Sequence, residues 1–205
     1  MKNKHTLKDW LINPFRYIAG EKALIIGLAV LLLISVLSYY GNVNFGGALG
    51  GSIAEKNFRI DYKYHLLHQI VIWISMTIVF YIVARIVSKS SVRLIDIAGT
   101  LAMAQAPFIL FAALGLIPSA HIELGNPAET DLQTINNVLK DNIVMLSIIG
   151  LAGIIIMVWS AVLKYKAFST SANIKGGIGI ASFFVGLIIC EILSQVCNYL
   201  INKLL

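Results

Sequence analysis

Charge is scarce in this sequence of 205 residues: Asp, Glu, Lys and Arg make up 13% of it, against about 25% in an ordinary soluble domain. So few charges would not cover the surface of a water-soluble globule. Cysteine is nearly absent too. Cys190 and Cys197, the two present, lie about 10 Å apart along one predicted helix. They cannot pair with each other, so they read as small packing residues rather than a disulfide framework. The motifs of common hydrolases and nucleotide-binding enzymes, HExxH, GxSxG and the Walker loop, do not occur. No basic-aromatic nucleic-acid module occurs either, so no nucleic-acid partner is expected. No cofactor is implied.

Hydrophobic residues, by contrast, account for 58% of the chain, and the mean hydropathy is +0.83. The pattern excludes disorder, collagen and coiled coil. It fits an all-α integral membrane protein. A membrane-spanning helix needs about 20 mostly apolar residues, and five stretches qualify: 23–40, 66–84, 97–120, 142–163 and 176–202. Their apolar runs do not alternate as the strands of a β-barrel do. The expected organisation is a cytoplasmic or interfacial segment over 1–21. A five-helix membrane domain follows over 22–205, with approximate spans 22–41, 64–86, 95–118, 141–163 and 177–202. The first apolar run is longer than a typical signal-peptide core and ends in Ser38-Tyr39-Tyr40-Gly41, so it reads as a retained span.

Basic residues gather on the cytoplasmic side of membrane proteins. Segments 1–22, 85–96 and 164–175 hold eleven of the sixteen: Lys2, Lys4, Lys8, Arg16, Lys22, Arg85, Lys89, Arg93, Lys164, Lys166 and Lys175. The opposite loops hold Lys56, Arg59, Lys63, Lys140 and Lys203, with most of the acids, among them Glu55, Asp61, Glu123, Glu129, Asp131 and Asp141. The split predicts a cytoplasmic N-terminus and an outer C-terminus, as an odd number of spans requires. The net charge of +6 is thus a topology signal.

Before the first span, Leu7, Trp10, Leu11, Phe15 and Ile18 follow helical spacing, with a weak cap at Thr6 and Asp9 and a restart at Pro14. Trp10, Phe15 and Tyr17 beside Lys8 and Arg16 suit a headgroup-level anchor. The glycine run Gly46-Gly47-Ala48-Leu49-Gly50-Gly51 lacks the strand and Lys-Ser/Thr of a phosphate loop, and reads as a flexible or closely packed connector. A short surface helix is expected around 132–139.

Ionisable groups at membrane depth are costly and therefore functional candidates. Glu191 in the fifth span and Gln105 in the third lie at similar depths and would hydrogen-bond if their helices touch. The pair is either a polar clasp between helices or part of a solute pathway. In the third span, Gly99, Ala102 and Ala106 form a small-residue stripe that permits close helix approach. Pro107 removes a backbone hydrogen bond, frees the carbonyl of Met103 and predicts a kink, so this span is the expected bundle centre. Asp96 at its start lies within reach of Arg93. Asp61, His65 and His68 share a face at the outer mouth of the second span, with His121 and Glu123 on the same side. They are weak metal candidates, and no metal site is assigned.

The string Ala98-Gly99-Thr100-Leu101-Ala102-Met103-Ala104-Gln105-Ala106-Pro107, the preceding Asp96 and the Pro14-Phe15 before the first span resemble the YIP1 family over roughly residues 10–200. The resemblance implies a five-helix membrane protein. Eukaryotic members bind prenylated Rab-type GTPases and act in vesicle traffic, and they carry a long polar cytosolic N-terminal region and an Asp-Leu-Tyr-Gly-Pro motif. Here about twenty residues precede the first span and that motif is absent, which weighs against GTPase binding. The short termini and loops are similar to bacterial members. The leading expectation is a non-enzymatic protein of the cytoplasmic membrane, a scaffold or a membrane-organising, trafficking-like component acting through helix packing and contacts with lipid, other membrane proteins or further copies of itself. Two alternatives are a small-solute, ion or lipid transporter or channel using Glu191 and Gln105, and a metal-dependent enzyme at the outer face using His65 and His68.

Overall fold

The computed structural model describes residues 7–55, 59–122 and 131–204, with backbone alone for Leu7, Lys8 and Leu204. Thr6, Lys2, Lys4, Lys56, Glu123 and Glu129, used above, lie outside the described residues. Helix α1 (Leu7–Ile12) ends before Pro14, and a 3-10 turn follows over Pro14–Arg16. Helices α2 (Gly20–Tyr40), α3 (Tyr62–Val87), α7 (Ile143–Ser171) and α8 (Gly176–Leu204) are each long and apolar enough to cross a membrane. The remaining span, 94–114, is built from two helices, α4 (Leu94–Met103) and α5 (Phe108–Leu114). In lipid the backbone must satisfy itself, which is why such runs close into helices.

The break between α4 and α5 follows from Pro107, which supplies no N–H. The Met103 carbonyl is not left empty: it accepts the Ala106 N–H at 3.1 Å, and the neighbouring bonds Gln105 N to Ala102 O and Phe108 N to Gln105 O also tighten to i, i+3 spacing. The chain stays hydrogen-bonded through the kink. This span is the most buried of the five. It packs closest on α2, where glycines let the backbones meet. A Cβ on Gly99 would lie 2.7 Å from the Leu24 nitrogen, and one on Gly27 would lie 2.8 Å from the Met103 nitrogen. Asp96 sits beside Gly20 and lies 3.8 Å from the exposed Arg93.

Two local readings need correction. The fourth span does not stop at 163 with Lys164 in an inner loop. Helix α7 continues to Ser171, and Lys164 is buried among Ser160, Leu163, Ala167 and Phe168. Those positions form one helical stripe, so Lys164 faces the bundle and says nothing about loop charge. Phe15 likewise points inward rather than toward lipid headgroups. It is 2% exposed in the core, and only Trp10 and Tyr17 of the three aromatics are exposed. Beyond the spans, α6 (Leu132–Asp141) is a short amphipathic helix begun by Asp131, whose Oδ1 accepts the Thr134 N–H at 2.8 Å.

Candidate functional site

The connection between α2 and α3 is not a surface loop. Val43–Asn44 (β1) and Ser52–Ile53 (β2) pair antiparallel, Val43 with Ile53 and Asn44 with Ser52, and the glycine run joins them. Val43, Phe45 and Ala48 are each no more than 2% exposed. At the hairpin's tip, the Leu49 N–H donates to Glu191 Oε2 at 2.8 Å and the Lys164 ammonium donates to the Ala48 carbonyl. Glu191 lies near the middle of α8, roughly 20 Å from each end. The hairpin therefore enters the bundle to about mid-depth, a re-entrant element. Irregular backbone is tolerated there only where protein encloses it and meets its polar groups.

Each contact has a local cause. Gly47 lies so close to the Glu191 carboxylate that a side chain there would overlap it. Asn198, two turns along α8 from Glu191, donates to the Gly46 carbonyl at 3.0 Å. Gln195, one turn along, donates to Glu191 Oε1 at 2.6 Å. The Lys164 ammonium sits 4.5 Å from the centre of the Phe108 ring, a cation–π contact. Phe108 in turn packs on Phe45 of the hairpin at 5.3 Å. One cation and one carboxylate from two spans thus hold the two ends of a single peptide group, Ala48–Leu49, of a third segment.

The hairpin's base is held by histidines. His68 lies between the side-chain amides of Asn44, at 3.2 Å, and Asn202, at 2.9 Å. His121 bridges the carbonyls of Ala54 and Gly115 at 2.8 and 2.7 Å, joining the exit of β2 to the end of α5. His65 is buried and its Nε2 has no hydrogen-bond partner. Asp61 is exposed beside Lys63 at 3.8 Å. Among the described residues, no group of three or more His, Cys, Asp or Glu is placed to hold a metal.

Gln105 and Glu191 are not hydrogen-bonded to each other. Gln105 is buried at the α4–α5 break, and its Nε2 donates to no described residue. Glu191 finds its partners in the hairpin and in Gln195. Gly99 and Ala102 line the contact with α2. Cys190 is buried and Cys197 half-buried, both as free thiols. Lys164 and the docking of the glycine run are the parts of the site that sequence reasoning missed. A signal existed in the helical stripe of Ser160, Lys164, Ala167 and Phe168, which continues past the lysine. Along α5 and α7, an apolar groove of about 490 Å³ is lined by Phe108, Phe111, Ile149, Ile154 and Met157 and by the returning arm of the hairpin.

Five apolar spans around a buried polar clasp define a multi-pass integral membrane protein of the all-α class. The family model for the Yip1 domain matches residues 8–194, and the chain belongs to that family. None of the curated proteins and none of the solved structures matches it.

Proposed function

We propose that this Yip1-domain chain is a non-enzymatic organiser of the cytoplasmic membrane, acting through helix packing and through contacts with lipid or other membrane proteins, including further copies of itself. Its N-terminus is cytoplasmic and its C-terminus outside. The loop cations that remain once Lys164 is set aside favour that orientation. The observation that carries the functional reading is the use made of the two charges at membrane depth. The Glu191 carboxylate has one oxygen on Leu49 and the other on Gln195, and the Lys164 ammonium is bound to Ala48. Their chemistry is spent on closing the bundle rather than on lining a path. The apolar groove along α7 and the exposed Leu151, Ile154 and Ile155 offer the outer surface to lipid or partner helices.

Proteoliposomes test this reading. The wild-type protein is expected to leave proton and potassium permeability at the level of empty vesicles, and crosslinking in native membranes is expected to trap it against other membrane proteins or itself. Flux that disappears in Glu191→Gln while the protein stays folded would replace this reading with transport.

A further inference from the structure

At the end of the bundle opposite the hairpin, a cavity of about 490 Å³ lies between the 3-10 turn after α1 and the last turns of α7. Arg16, Lys166 and Lys175 line it, together with Ser169, Thr170 and Asn173. An adjoining hollow shares Arg16 and Lys166 and is bounded by Asp9. We propose that this cavity binds the phosphate of an anionic phospholipid headgroup.

The first support is that the cations have no carboxylate partner there among the described residues, although Lys166 also lies 5.5 Å from the centre of the Tyr165 ring. Lysines near a helix C-terminus often serve its unpaired carbonyls. Here three of the last four are already met. Asn173 takes the left-handed conformation at φ 51°, and the Ala172, Asn173 and Ile174 N–H groups donate to the carbonyls of Phe168, Thr170 and Ser169. Ser88 donates to the carbonyl of Ala172 at 2.7 Å. None of the three cations forms an ion pair with a described residue. A cavity with three cations that have no anionic partner among the described residues, beside the Thr170 hydroxyl and the Asn173 amide, is electrostatically incomplete, and a phosphate, with its several acceptor oxygens, completes it.

The second support is depth. Trp10 and Tyr17 are exposed, with ring centres 5.6 Å apart, and the exposed Leu11 and Ile12 lie beside them. Such aromatic pairs mark the headgroup layer. Trp159 Nε1 donates to the Leu11 carbonyl at 2.9 Å, tying α1 across α7, while the buried Phe15 plugs the turn into the core. The cavity therefore opens at the level of lipid phosphates, beside side chains that suit their acyl chains. This gives the lipid contacts of the reading above one defined site, and it can fail while that reading stands.

Native mass spectrometry of the purified protein with phosphatidylglycerol or phosphatidylcholine tests the site. Preferential retention of phosphatidylglycerol is expected. It should fall about a hundredfold in Arg16→Gln/Lys166→Gln/Lys175→Gln and roughly fivefold in Lys175→Gln alone, at about one factor of five per cation. Removing three cations elsewhere at the same end (Lys22, Arg85 and Lys89, each to Gln) should leave the preference intact. The single Lys175→Gln change, at an exposed side chain, gives the answer even if the triple variant does not fold. Equal retention of both lipids by the wild type, equal loss in the control variant, or binding of inorganic phosphate without any lipid preference would each overturn the assignment.

Discussion

The Leu49 N–H and the Glu191 carboxylate, 142 residues apart in sequence, meet at 2.8 Å in the middle of the bundle. Lys164 holds the carbonyl of the same peptide group, that of Ala48. The two charges act through that peptide rather than by direct ion pairing, and removing one leaves its peptide atom unmet and the opposite charge uncompensated, at a cost of about 1–3 kcal/mol or more, whereas replacing both is better tolerated. Lys164→Met is therefore expected to be strongly destabilising and Lys164→Met/Glu191→Gln to recover part of the loss. Chemical denaturation in mixed micelles measures both. A double variant that loses the sum of the two single effects would show that the groups are independent.

The glycines of the hairpin are predicted to differ sharply. Gly47 faces the Glu191 carboxylate at a distance no Cβ can share, while Gly46 and Gly50 have nothing within 4 Å of an added Cβ. Gly47→Ala should cost roughly 1–3 kcal/mol. Gly46→Ala and Gly50→Ala should stay within about 0.5 kcal/mol of wild type. Comparable effects at all three positions, in the same denaturation assay, would contradict the docking of the tip.

Between α2 and α4 the same logic applies to whole helices. Gly99→Leu places a side chain into the Leu24 backbone and should destabilise by about 1–3 kcal/mol or more. Gly150→Leu on α7, where nothing lies within 4 Å of an added Cβ, should be tolerated. Thermal stability in detergent distinguishes the two.

Much of this architecture is legible in the residues. Long uncharged runs mark the spans because lipid leaves the backbone no partner but itself, and Pro107 announces the break between α4 and α5. Glu191 stands out as an acid at membrane depth. What could not be read is where such a group finds its partner. Leu49 and Ala48 lie 142 and 116 residues from the side chains that hold them, and a glycine run carries no periodic signal of burial. Lys164 reads as a loop residue because a positive charge after an apolar run resembles the end of a span. Only the continuing stripe to Phe168 shows that the helix goes on. Depth alone suggests pairing Gln105 with Glu191, but depth does not decide which faces meet.

Helix α6 should respond to acid. Hydrogen bonds from the Thr134 side chain and backbone hold the Asp131 carboxyl below its ordinary pKa. A carboxylate whose folded pKa is lowered stabilises above the unfolded value and loses that effect as the pH falls through the folded one. Amide exchange across 132–141 should accelerate as the pH falls through the acid range, beyond the intrinsic change. In Asp131→Ala the protection should be low at every pH. Protection that ignores both pH and the substitution would remove the cap from the account.

Hydrogen–deuterium exchange at residues 46–51, in the protein reconstituted into a bilayer, tests most directly whether the hairpin is built into the bundle. The account predicts slow exchange at Leu49 in the wild type and fast exchange in Glu191→Ala. Exchange at Leu49 in the wild type as rapid as in an unstructured peptide would contradict it.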